Sequence, residues 1–103
     1  MKNKKLIIFG DSAFAEIAFE YFQKDSHYDV VAFTVNKKYI TKPDLFNLPI
    51  VAFEDIEAFY PPDEYEMFIA LVYNKLNRTR ISKYKAAKSK GYELASYISS
   101  KAF

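Results

Sequence analysis

Gly10, Asp11 and Ser12 follow a continuous apolar run, residues 6–9, and precede a helical pattern that begins near Phe14. A strand that turns at a glycine and feeds a helix leaves free backbone N–H groups at the positive helix end, where an anion can bind. Asp11 or Ser12 can cap that helix by accepting one of those N–H groups. The same pattern also occurs as an ordinary β–α turn with no ligand. Arg80 is the second candidate. Projected at about 100° per residue, Leu76, Ile81, Tyr84 and Ala87 form one arc of a helix, and Asn77 and Arg80 fall inside it. Lys75, Arg78, Lys83, Lys85 and Lys90 fall outside that arc or at its rim. A guanidinium on a sheet-facing stripe needs a partner. A phosphate or carboxylate ligand at the carboxyl edge of the sheet meets that need. So does an internal ion pair to Glu16 or Asp11, or escape of the head group to water. Spacing leaves these open.

Other chemistries fit the residues less well. In a dinucleotide fingerprint of the form G-x-G-x-x-G/A, with an acidic residue about 20 positions on, Gly10, Ser12 and Ala15 would take the three small positions. Only one of them is glycine, and the second strand ends Phe33-Thr34-Val35-Asn36 with no acid, so NAD is disfavoured. Asn36 and Lys37 can hydrogen-bond a base or sugar, or lie in a solvated loop. His27 is the single histidine and there is no cysteine, which argues against a zinc site and excludes thiolate chemistry and disulfides. Ser12 and His27 flank opposite ends of the first helix, about 20 Å apart by helix rise, so no Ser–His–acid set can form. Asp63 and Glu64 read as loop residues.

These side chains must be positioned by a single domain of 103 residues, half of them hydrophobic. With 9 Tyr, 10 Phe and no Trp, the aromatic rings must supply much of the buried area. The net charge of +2 is too balanced to announce a nucleic-acid or membrane surface. Lys2, Lys4 and Lys5 resemble the start of a signal peptide, but the apolar run behind them is short and broken by Asp11 and Glu16. No segment approaches transmembrane length, and a cytoplasmic location is expected.

The pattern predicts strands at 5–9, 28–34, 48–51, 66–71 and 92–98. Helices are predicted at 13–24, 53–59 and 75–90, and a polar loop at 36–47. In the first helix Phe14, Ile17, Ala18, Tyr21 and Phe22 share the inward face. Pro49 marks the third strand as a sheet edge. Asn74 caps the third helix and Gly91 sits at its C′ position. The class is therefore α/β: about five parallel strands in the order 3-2-1-4-5, the first central, with helices on both faces.

Taken together, four stretches resemble the N-terminal domain of bacterial sugar acyltransferases of the sialic acid O-acetyltransferase and PglD type. They are Leu-Ile-Ile-Phe-Gly-Asp-Ser at 6–12, Leu-Pro-Ile-Val-Ala-Phe-Glu at 48–54, Tyr-Asn-Lys-Leu-Asn-Arg-Thr-Arg at 73–80 and Lys-Ser-Lys-Gly-Tyr-Glu-Leu-Ala-Ser-Tyr-Ile at 88–98. The resemblance implies a small Rossmann-like domain, residues 1–103, that holds a UDP- or dTDP-linked sugar and carries no cofactor of its own. It implies a following left-handed β-helix of hexapeptide repeats that trimerises, binds acetyl-CoA and supplies the catalytic histidine. Phe103 lies where that β-helix is expected to begin, so this chain alone is expected to transfer no acetyl group.

Gly10 and Ser12 match the turn near the phosphates, Asn36 the polar position after the second strand, and Arg80 the arginine of the third helix. Family members often have Gly-Gly-His or Ser-Gly-His after the first glycine, where this chain has Asp11-Ser12-Ala13. The substrate-binding set expected is Gly10, Asp11, Ser12, Ala13, Asn36, Lys37, Tyr73, Asn74, Asn77 and Arg80, with no metal and no catalytic residue. The alternatives are a docking module without a ligand and, less favoured, a reductase-type dinucleotide domain.

Overall fold

A computed structural model describes residues 4–10, 13–25, 28–70 and 78–95, with side chains at all of these except 13, 14, 25, 78–81 and 84. The elements are β1 (Lys4–Phe9), α1 (Ala13–Asp25), β2 (Tyr28–Val35), β3 (Asp44–Leu45), β4 (Leu48–Ala52), α2 (Ile56–Phe59), β5 (Tyr65–Ile69), α3 (Arg78–Ser89) and β6 (Glu93–Leu94). They form one sheet in the order β3-β4-β2-β1-β5-β6. The five expected strands are parallel neighbours in the expected order, with β1 in the middle. β3 is an addition and runs antiparallel to β4.

β1 is central because both of its faces are covered. Leu6 and Ile8 pack with Ala15, Ala18 and Phe22 of α1, whereas Ile7 and Phe9 pack with Phe53, Ile56, Met67, Ala87 and Tyr92 on the other face. Fully burying each of the larger of these side chains stabilises by about 1.5–3 kcal/mol. A continuous apolar run is therefore what a doubly covered strand requires. In β2 the pairing register shifts between Leu6–Val30 and Ile7–Ala32, leaving Val31 as an extra residue. The bulge changes the phase of alternation, so Val30, Phe33 and Val35 all join the α1-side core while Val31 packs on the opposite face.

Three local expectations are corrected. In α1 the buried row is Ala15, Ala18 and Phe22, and Ile17 is 57% exposed. Ile17 stands roughly 130° round the helix from that row, whose axis the small Ala15 helps set, and the Phe14 side chain is not among those described. The 36–47 segment is not all loop. It contains a 3-10 turn, Lys37–Tyr39, and the strand β3. β3 joins β4 through Phe46 and Asn47, both at positive φ (54° and 65°), as a two-residue hairpin turn requires. Phe46 is an unusual residue for that turn, and its ring stacks on Phe19 at 4.6 Å. β3, not β4, is thus the edge. Pro49 is tolerated because the register of β4 with β2 begins only at Ile50. The third correction is the second helix, which is a 3-10 turn, Phe53–Asp55, followed by one α-turn.

α3 ends as expected. Gly91 has φ +101° and donates to the Lys88 carbonyl at 2.9 Å, and the Tyr92 N–H returns to the Ala87 carbonyl at 3.1 Å. Tyr92 then anchors β6, with its hydroxyl donating to the Tyr60 carbonyl. Burial pushes that hydroxyl up to about 12, so it stays a donor. The expected Asn74 cap, the 96–98 end of the last strand and His27 lie outside the described residues.

Thr34 is the one polar residue among the fully buried side chains of the described core. Its Oγ1 donates to the Val51 carbonyl at 2.6 Å, tying β2 to β4. Thr34→Val keeps the shape and removes one bond worth about 1 kcal/mol. The urea midpoint is expected to fall by roughly 0.5 M, given slopes of about 1–3 kcal/mol/M. An unchanged midpoint would show that the hydroxyl adds nothing.

Candidate functional site

The carboxyl ends of β1, β2 and β5 meet at Gly10. Its N–H donates to the Thr34 carbonyl at 2.8 Å, and the Ala70 N–H donates to the Phe9 carbonyl at 2.9 Å, so the ladder extends through the turn. Gly10 has φ +128°, and a Cβ there would stand 2.9 Å from the Ala70 carbonyl oxygen. Only glycine fits. The third small position, Ala15, is fully buried and lies 3.6 Å from that same Cβ position. α1 therefore starts hard against the end of β1, as a phosphate-cradling turn needs.

A polar cluster occupies the neighbouring end of β2. Asn36 Nδ2 donates to Glu54 Oε2 at 3.2 Å, and the Lys37 N–H donates to Glu54 Oε1 at 2.9 Å. The other end of the Asn36 amide accepts from Lys83 Nζ at 2.7 Å. Glu54 is placed by its neighbour: Phe53 is buried and packs edge-on to Phe9 with ring centroids 5.1 Å apart. Lys83 reaches the edge from α3 and carries its ammonium 5.7 Å from the Phe9 ring centre. The Lys37 N–H, with Glu54's own N–H, the Asn36 amide and the Lys83 charge, holds the Glu54 carboxyl below its ordinary value. Glu54 is ionised at neutral pH, and a half-buried cation stands beside it with donors to spare.

The structure therefore brings Gly10, Asn36 and Lys37 to one edge of the sheet. Asp11 and Ser12 lie outside the described residues, as do Tyr73, Asn74 and Asn77. Ala13 opens α1, and Arg80 falls in the first turn of α3; their side chains are not among those described. Two residues were not singled out as site residues from the sequence. Lys83, placed outside the sheet-facing arc or at its rim, turns inward, and it stands four positions before the buried Ala87, hence on the same face. Glu54 comes two residues after the carboxyl end of the parallel strand β4, near where open α/β sheets keep ligand-binding groups.

At the opposite, amino end of the sheet a concave surface of about 470 Å³ is lined by Lys4, Lys5, Tyr65, Glu66 and Glu93 with the 62–64 turn and Gly91. Its polar groups are largely turned on one another: Lys4 Nζ meets Glu66 Oε2 at 3.1 Å, and the Tyr28 hydroxyl donates to Glu66 Oε1 at 2.7 Å. Among the described residues no group of three or more His, Asp or Glu could hold a metal ion. No helix among them is long and apolar enough to cross a membrane.

Topology and edge together define a mostly parallel, Rossmann-like α/β domain. No family model and no curated protein matches the sequence. Among solved structures the chain is similar to the acetyltransferase domain of PglB from Neisseria gonorrhoeae FA1090 in complex with acetyl coenzyme A. The identity is 19%, the TM-score 0.64, and 87% of this chain and 41% of that one are covered. It is similar also to a second structure, described as the acetyltransferase domain of PglB from Neisseria gonorrhoeae FA1090 (16% identity, TM-score 0.61, 87% and 42% covered). The chain thus spans about two-fifths of the length of those structures. At these identities the likeness establishes the fold.

Proposed function

We propose that this chain binds a nucleotide diphosphate sugar, UDP- or dTDP-linked, as the substrate-positioning part of a bacterial sugar O- or N-acyltransferase. The observation that carries the reading is the Gly10 turn, a strand-to-helix junction with no room for a Cβ, beside a cation held at the same edge. The diphosphate lies over the Gly10 turn, and Asp11, Ser12 and Ala13 stay in the proposed binding set. The Lys83 ammonium neutralises part of its charge, and Arg80 in the first turn of α3 is the second cation. Asn36 and Lys37 face its nucleoside, and Tyr73, Asn74 and Asn77, outside the described residues, stay in the proposed binding set. Acetyl-CoA belongs to a β-helix partner domain, on which the homotrimer forms. A cytoplasmic location fits a ligand of this kind. The fold shared with acetyltransferase domains supports the reading.

In chemical terms the domain supplies orientation. Binding energy from the nucleotide, remote from the reacting amino or hydroxyl group, holds the acceptor in place for the transfer step. A second reading, a docking module without a ligand, draws on the exposed Ile17 and on Phe59, 65% exposed at the end of α2. Calorimetric titration with UDP- and dTDP-sugars separates the two. Saturable binding to one site supports the first, and silence at millimolar concentration gives the lead to the second.

A further inference from the structure

We propose that Glu54 reads the 2′-hydroxyl of the nucleotide, so that the site takes a ribonucleoside diphosphate in preference to its 2′-deoxy counterpart. The proposal rests on the nucleotide-binding reading above and names the ligand class more narrowly.

In open α/β sheets a nucleotide laid over the β1 turn runs toward the end of β2, where a carboxylate accepts a hydrogen bond from the ribose. Here β2 is followed by Asn36, and both ends of its amide are engaged, one by Glu54 and the other by Lys83. The acid is supplied from the next strand instead. The Glu54 carboxylate lies 2.9 Å from the Lys37 N–H nitrogen and 3.2 Å from Asn36 Nδ2. It is thus within hydrogen-bond distance of the two residues that follow β2. Phe53, seated on Phe9, fixes the backbone that carries it. The two oxygens each accept one of these bonds, so the group is oriented before a ligand arrives.

A carboxylate has about four acceptor sites. The Asn36 amide and the Lys37 N–H occupy two. The remaining capacity suits one further donor, such as a ribose hydroxyl. Glu54 is exposed, so a ligand can reach it.

The test is calorimetry of the whole chain with UDP and with 2′-deoxy-UDP at one ionic strength. The wild-type protein is expected to bind UDP about 10-fold or more tightly than 2′-deoxy-UDP, the worth of one hydrogen bond to a charged group. In Glu54→Gln the ratio is expected to collapse toward one, because UDP binding weakens to the level of the deoxy ligand. Equal binding of the two ligands by the wild-type protein overturns the proposal and leaves nucleotide binding intact; that comparison needs no variant to fold. A preference that survives Glu54→Gln also overturns it. So does loss of both ligands by the same factor, which marks Glu54 as a clamp on the 36–37 turn alone. If neither ligand binds the wild-type protein, the nucleotide reading itself fails and this proposal falls with it.

Discussion

Gly10→Ala is expected to destabilise the fold by about 1–3 kcal/mol from backbone conformation alone. At φ +128° an L side chain is strained whatever space surrounds it. A steric penalty adds to this, because the new Cβ would meet the Ala70 carbonyl oxygen at 2.9 Å. That oxygen belongs to backbone at the end of a central strand and has little freedom to move. Relief requires the backbone at Gly10 or Ala70 to shift, which disturbs the Gly10–Thr34 and Ala70–Phe9 hydrogen bonds. With urea slopes of about 1–3 kcal/mol/M for a chain of this size, the midpoint should drop by roughly 1 M or more. A midpoint equal to the wild-type value contradicts the strained-turn account.

The second large effect is on binding. Lys83→Met keeps most of the apolar stem over Phe9 and removes the charge. Affinity for UDP-sugar is expected to fall by about 10- to 150-fold, the value of one hydrogen bond to a charged group in each case. Stability is expected to move by less than about 1 kcal/mol, since the pair with Asn36 and the contact with the Phe9 ring are both partly exposed. The wild-type affinity should also decline with added salt, and less steeply in the variant. If the variant binds as tightly as the wild-type protein while keeping its fold, Lys83 only braces Asn36. The cationic role then passes to Arg80, for which Arg80→Ala is the matching measurement.

The framework was legible because each strand of the parallel sheet carries a signal that depends only on burial. Residues 6–9 are apolar without a break, and a glycine follows them. Gly91 stands where α3 must stop, and the expected strand order follows from alternating β and α segments. The hairpin at 44–49 was not legible, because its turn residues are Phe46 and Asn47 with no glycine. A tertiary contact, the stacking of Phe46 on Phe19, accompanies the unusual backbone there.

Ile17 was misplaced for a related reason. Apolar spacing around α1 admits two axes, and the tight approach of Ala15 to the Gly10 turn selects one. The placement of Gly10, Asn36 and Lys37 at one edge of the sheet was legible because they sit at fixed offsets from strand ends. Lys83 and Glu54 could not be placed there, because their contacts with residues 36 and 37 exist only once α3 and the turn after β4 are folded over the same strand end. A helical wheel sorts residues by direction and says nothing of reach, so a long lysine at the rim counts as solvent-facing until its partner is known.

The central claim is that this edge of the sheet is a nucleotide diphosphate sugar site. Isothermal titration of the purified chain with UDP- and dTDP-linked sugars tests it most directly. Saturable binding with a stoichiometry near one, abolished or strongly weakened in Lys83→Met, is the result predicted. No heat of binding with any of these ligands at millimolar concentration, from protein shown to be folded, would contradict it.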